Sequence, residues 1–297
     1  MSDFIALTKR NCLTYFRDRA SVFFSLLGVL IVILLYLIFL RSLLVDSIIN
    51  SMNESSFPFE KVDIQRMVDS WVLAGVLAIV SVTTSAGALQ TMVQDKVEDK
   101  MSDLMMTSLS PVKTSAAYVL STYIVGQIMS VITFVIIVVY LAIMGCSLSF
   151  GGCLLTLLLT IPASLSGAII IYALTCRIKS GGAFSGFFTV LSVLIGFLTG
   201  IYMPMGEMEG FMQTIGSMMP ATHIAALMRQ TLGMDSFNHV MNGAPASTIS
   251  DLRFEMGYDL ELFGYQFTPL TSMLYVMGVT LMFFGIAVLL NRKKRSV

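Results

Sequence analysis

The stretch SVFFSLLGVLIVILLYLIFL, Ser21–Leu40, is twenty residues long and carries no formal charge. About 20 consecutive apolar residues are what a helix needs to cross the hydrocarbon core of a bilayer. Inside lipid only a helix or a closed barrel satisfies every backbone group. The run is too long for the core of a cleavable leader, and no small-residue cleavage site follows it. Working outward, five more such runs appear: Trp71–Thr91, Ala116–Met144, Leu154–Cys176, Phe184–Tyr202 and Leu270–Leu290. Pro162 is expected to kink the fourth.

Composition agrees. Apolar residues make up 56% of the 297 and charged residues 12%, against roughly half and a quarter in soluble domains. So lean a polar fraction cannot cover a soluble surface of this size, and the reading is an all-α polytopic membrane protein of six transmembrane helices. Net charge is zero, which suggests no nucleic-acid partner.

Six spans place both termini on one side. That side collects Lys9, Arg10, Arg17, Arg19, Lys96, Lys100, Lys113, Arg177, Lys179 and the basic tail Arg292–Arg295, leaving Arg41, Lys61, Arg66, Arg229 and Arg253 for the other. Basic residues mark the cytoplasmic side, so both termini are expected in the cytoplasm of a bacterial-type plasma membrane. Residues 41–70 and 203–269 then lie outside. The second stretch is too long for a connector and is expected to form a small cap, with a strand or hairpin in the alternating run Tyr258–Phe267. Cys146 and Cys153 flank one short loop on that side, placed to pair if it is oxidised; buried free thiols are the simpler reading.

All six spans lack Asp, Glu, Lys, Arg and His. Ion-coupled carriers keep ionisable groups at membrane depth, so proton or sodium coupling through this chain is not expected, nor is an intramembrane enzyme. No Gly-x-x-x-x-Gly-Lys-Ser/Thr phosphate loop and no His-Glu-x-x-His metal motif occurs. Any energy for transport must come from another chain, and neither a metal nor a catalytic residue is assigned here.

Two segments on the termini side have helical patterning. In Gln94–Pro111, Val97, Met101, Leu104 and Ser108 fall at helical spacing among Glu98, Asp99, Ser102 and Asp103, a short amphipathic helix able to seat in a groove of a soluble partner. Near the N-terminus, Ile5, Cys12 and Phe16 share one face, with Arg17 and Arg19 adding charge, as in a helix lying in the membrane interface.

Two stretches resemble the type-2 ABC permeases, which include drug, antibiotic and polysaccharide exporters. One is Asp103-Leu104-Met105-Met106-Thr107-Ser108-Leu109-Ser110-Pro111, similar to the family's acidic-hydrophobic run closed by a Ser-Pro step; the usual Arg-Glu-x-Gly-Thr opening is degraded to Val97–Ser102. The other is Gly200-Ile201-Tyr202-Met203-Pro204, Pro220-Ala221-Thr222-His223 and Leu227-Met228-Arg229-Gln230, similar to the signature after the fifth span. The resemblance implies a homodimer, or a heterodimer with a second permease, bound to two copies of an ABC ATPase that hold ATP and magnesium. It makes Asn11–Arg19 an interfacial connecting helix and Asp95–Ser108 the coupling helix, with Asp95, Glu98, Met101, Asp103, Leu104, Met105 and Ser108 facing the ATPase. It also puts the second and fifth spans on the substrate path, through Ser81, Thr84, Ser85, Thr189, Ser192 and Phe197. Re-entrant helices around Gly206–Leu232 would form an outer gate with Pro204, Pro220, His223 and Arg229. The glycine pairs Gly182/Gly186 and Gly196/Gly200 of the fifth span permit close helix approach. The expected function is export of amphipathic or hydrophobic cargo. The alternative is a non-transporting immunity or sensor component that binds a peptide through its cap.

Overall fold

The structure, a computed structural model, describes residues 2–54, 60–106 and 109–292. It is all-α apart from one hairpin. α1 (Ser2–Arg17) is followed at once by α2 (Arg19–Leu35), which continues through a π-turn over Tyr36–Leu40 into α3 (Arg41–Glu54). Next come α4 (Lys61–Ala88), α5 (Gln90–Val97), α6 (Lys100–Met105), α7 (Pro111–Ile143), α8 (Phe150–Thr175) and α9 (Gly181–Leu198). The cap then holds α10 (Gly210–Met218), α11 (Pro220–Met228), a π-turn over Arg229–Gly233, α12 (Met234–Val240) and α13 (Ala246–Glu255). The strands β1 (Leu260–Leu262) and β2 (Tyr265–Phe267) follow, before α14 (Pro269–Arg292).

Local chemistry sets the helix starts. Ser110, Ser149 and Ser180 each accept a backbone N–H three residues on, from Lys113, Gly152 and Ala183, so three of the spans open on a serine cap. Pro111 and Pro269 occupy first helical positions, where a missing N–H costs nothing. Pro162 does not break α8, which runs on through it.

Among the described residues, six helices are long and apolar enough to cross a membrane. The second is the axis. In its most apolar stretch 83% of residues lie inside the protein, against 17% for the first and sixth spans. α4 packs on α7, α8 and α11, and the backbones come close where side chains are smallest. A Cβ on Gly126 would sit 2.2 Å from Ser85 Oγ, and one on Gly167 would sit 3.0 Å from Val82 Cα. Hydroxyls and one amide join the spans: Gln127 donates to Thr160 at 2.7 Å, and Ser130 and Ser164 meet at 3.2 Å. Such small and weakly polar contacts hold helices together where lipid offers no hydrophobic drive.

Two expectations change. The second span's helix starts at Lys61, ten residues before Trp71, and so carries Asp69, which is fully buried. Asp69 accepts from Tyr36 Oη at 2.6 Å and from Arg41 Nε and Nη2 at 2.8 and 2.7 Å. The first span runs beyond Leu40 through the π-turn, which brings Tyr36 and Arg41 to that carboxylate. Residues 41–54 and 61–70 are thus helical continuations of two spans. The fifth-span pairs do not act as expected within one protomer: Gly186 has open space beside it and Gly196 is filled by Tyr202 of its own chain.

Candidate functional site

The end of the bundle that carries both termini is organised around Asp95, in α5, and is called the termini end below. Its buried carboxylate accepts from Tyr118 Oη at 2.6 Å and from Arg10 Nη2 at 2.8 Å, with a second, short contact from Arg10 Nη1. Bidentate guanidinium–carboxylate geometry is the strong form of this interaction, and the carboxylate raises the pKa of Arg10. α1, α5 and α7 are thereby tied at one point. Lys96 Nζ donates to the carbonyls of Cys176 and Ile178 at 2.8 and 3.4 Å, tying α5 to the end of α8 as well. A cleft of about 230 Å³ opens beside the pair, lined by Arg10, Thr14, Tyr15, Gln90, Gln94 and Lys100 among others.

Beyond Val97 the helix breaks. Asp99 adopts φ 58°, in the left-handed region, and α6 starts anew. Lys100 and Gln94 hold the Glu98 carboxyl below its ordinary pKa. This break overturns the single helical face expected over Val97–Ser108. Met101 and Leu104 turn inward, half-buried against the cluster that contains Leu89, Met92, Val93 and Tyr118. Val97, Glu98 and Asp103 face out, and Met106, at 88% exposure, stands clear of the protein. Asp95 faces inward and is not presented to a partner. Met105 ends α6, and Ser108 lies outside the described residues, as does the basic tail beyond Arg292. Met106 was not singled out from the sequence, because an apolar residue just past a short helix has no periodicity to mark it.

α1 lies along α7. Leu7, Thr8, Asn11 and Tyr15 are buried, at the spacing of one helical stripe, while Ile5 is exposed. Cys12 and Phe16 flank that stripe half-buried, the Cys12 thiol 3.8 Å from the Ser121 carbonyl. Arg17 and Arg19 are exposed at the junction with α2.

The path residues divide. Ser81, Thr84 and Ser85 are buried inside the protomer, donating to the carbonyls of Leu77, Val80 and Ser81 at 2.9, 2.7 and 3.0 Å. In this conformation they line no surface. On α9, Thr189 and Phe197 are exposed, and Ser192 is half-buried with a hydroxyl that has no partner among the described residues.

At the far end, α10 and α11 form a helical hairpin re-entering the bundle, its turn at Met219–Pro220. Met219 and Ala221 reach the cluster that contains Ile195 and Phe283. Pro220 opens α11 and Pro204 precedes the single 3₁₀ turn Met205–Glu207. His223 Nε2 lies 2.8 Å from the Ser217 carbonyl, which can only accept, so that nitrogen carries a proton. Its ring packs on Phe267 and Tyr275, centroids at 4.6 and 4.4 Å.

Arg229 is fully buried. Nη2 donates to the carbonyls of Thr199 and Gly200 at 3.1 and 3.0 Å and Nη1 to Gly257 at 3.4 Å, while Nε has no partner among the described residues. The guanidinium lies 4.8 Å from the Trp71 ring centroid, a cation–π contact. Trp71 Nε1 in turn donates to the Met256 carbonyl at 2.6 Å. Gly75 makes the room: a Cβ there would stand 3.1 Å from Nη2. Arg229 thus joins the second span, the end of the fifth and the cap. Trp71 and Gly257 were missed in the sequence, although Trp71 is the chain's single tryptophan.

Among the described residues no group of three or more His, Cys, Asp or Glu is gathered as for a metal, and all four cysteines are free.

A bundle of six spans with a broken helix projecting at the termini end and a re-entrant hairpin at the other is the architecture of a multi-pass transporter subunit. The family profile of ABC-2 family transporter proteins matches residues 42–290, and the chain belongs to that family. It is therefore an ABC-transporter permease, the transmembrane subunit. α1 and α2 lie outside the matched stretch. No curated protein matches the chain.

Proposed function

We propose that this chain is the permease subunit of an ATP-driven exporter that moves amphipathic or hydrophobic cargo, such as a drug, antibiotic, peptide or lipid-like molecule, out of a bacterial cell. Two copies of an ABC ATPase, holding ATP and magnesium, dock at the termini end, which faces the cytoplasm. A second permease, identical or similar, completes the path along the exposed α9 face. One observation carries the reading: Met106 and Asp103 project at the termini end from a segment tied to the bundle through Asp95 and Lys96. Held by Asp95 and Lys96 before the break and by Met101 and Leu104 after it, such a segment can pass a push to the bundle. The uncharged α9 face, with Thr189, Val193 and Phe197 exposed, supports an apolar cargo.

The test is co-purification. Expressed with its genomic neighbours and purified through a tag on this chain, the permease should bring down a nucleotide-binding subunit. Met106→Asp should lose that subunit or uncouple its ATP turnover, while Leu104→Asp, being directed inward, should also lower stability. If no ATPase associates with the wild type in nanodiscs, the exporter reading loses its energy source.

A further inference from the structure

The β1–β2 hairpin ends in a turn that is unusual in two ways. Its two turn residues, Phe263 and Gly264, have φ of 53° and 80°, the left-handed pair that joins tight hairpins and that suits Asn-Gly or Gly-Gly. Phenylalanine is strained there. Its ring also touches almost nothing: Phe263 is 83% exposed. A strained backbone that presents a bare aromatic ring at a hairpin tip is unfavourable in water on both counts, and such outliers persist where the placed group has a use.

The neighbours give the direction. The register pairs Leu260 with Phe267 and Leu262 with Tyr265, leaving Glu261 opposite Gln266. Side chains alternate across a strand, so one face of the hairpin is wholly apolar and the other polar. Rings fasten this apolar face to the sixth span: Tyr265 to Phe267 at 5.1 Å, then Phe267 to Tyr275 at 5.7 Å. Pro269 begins that span two residues after β2 ends, so the hairpin cannot swing away from it. Below the hairpin, Leu270, Leu274, Met277 and Leu281 are all exposed. Their spacing of four, three and four makes one stripe of a helix. Exposed apolar residues continue to Leu289, a helical length of about 30 Å, the thickness of a bilayer's hydrocarbon core. The hairpin therefore hangs at the water–lipid boundary of a lipid-facing span, where aromatic side chains collect.

We propose that the Phe263 tip, with Tyr265 beside it, inserts into the bilayer interface next to the sixth span, while Leu260 and Phe267 at the base of the hairpin pack on the protein, so that the cap is anchored to the lipid as well as to the bundle. Nothing in this inference depends on the cargo, the ATPase or the direction of transport.

The experiment uses the full-length chain in nanodiscs. The single native tryptophan, Trp71, is buried, so emission added by Phe263→Trp is read as a difference from the wild type. The probe is phosphatidylcholine brominated near the top of its acyl chains, with acrylamide as the aqueous quencher. The added emission should be blue-shifted, fall about twofold in brominated bilayers and respond little to acrylamide. Emission quenched by acrylamide and untouched by bromine would place the tip in water and overturn the proposal. Emission quenched by neither would place it under protein, for example a second copy of this chain, and would overturn it equally. Should Phe263→Trp fail to fold, Tyr265→Trp places the probe on the same face and decides by the same readout.

Discussion

Two buried arginine contacts divide the molecule. At the termini end, Arg10 is partly solvated, its side chain 38% exposed, and meets a carboxylate. At the far end Arg229 is sealed off and meets three carbonyls and an indole, with no carboxylate among its contacts with described residues. In the first, the guanidinium reaches the edge of water while the Asp95 carboxylate stays buried, so Arg10 keeps solvent as an alternative partner. The second has no such alternative, because taking Arg229 from its carbonyls strands a charge in a dry interior. The two arginines thus differ in what remains when the contact is lost: Arg10 can turn to water, and Arg229 cannot.

The largest effect should come from Arg229→Ala, which empties the site and leaves the Thr199 and Gly200 carbonyls without donors. A loss of about 3–5 kcal/mol is expected, read as the unfolding temperature in detergent. A cost no greater than that of Arg10→Ala would break the comparison. Asp95→Ala should cost less, about 1–3 kcal/mol, since Arg10 can turn to water and only Tyr118 loses a buried acceptor. Added salt should narrow the gap between Asp95→Ala and the wild type, and should leave the Arg229→Ala gap unchanged. Trp71→Phe keeps a ring beneath the guanidinium but loses the hydrogen bond to Met256, for about 1 kcal/mol, seen in the same melting series. Smallest of all, Met106→Asp should move stability by no more than about 0.5 kcal/mol and yet abolish capture of the ATPase. A large drop in melting temperature in that variant would mean the residue packs inward, and the contrast between the ends would need redrawing.

Several features could be read directly from the chain. The spans announce themselves because lipid demands long uncharged runs, and the alternation in Tyr258–Phe267 is resolved as β1 and β2. Pro220 and Arg229 stand in a stretch where the family resemblance implied re-entrant helices, and α10 and α11 form a helical hairpin packed on the bundle there. Where the reading went astray, it extended a local pattern past a break. Met101 and Leu104 look like one face of a partner-binding helix until Asp99 takes φ 58° and turns them onto the bundle. Ser81, Thr84 and Ser85 look like a polar path until α7 and α8 close over them. Asp69 fell outside a window drawn by hydropathy, because its charge is offset by Arg41 and Tyr36 from another span.

By itself the sequence determined how many times the chain crosses the membrane and where a hairpin forms, since both follow from the free energy of single segments in lipid or water. Only the tertiary structure decided which span is the axis, which side of α6 turns inward and what receives Arg229. Those outcomes depend on partners far apart in the chain, such as Thr199, Gly257 and Trp71 around one guanidinium, and no local pattern encodes a meeting that packing alone brings about.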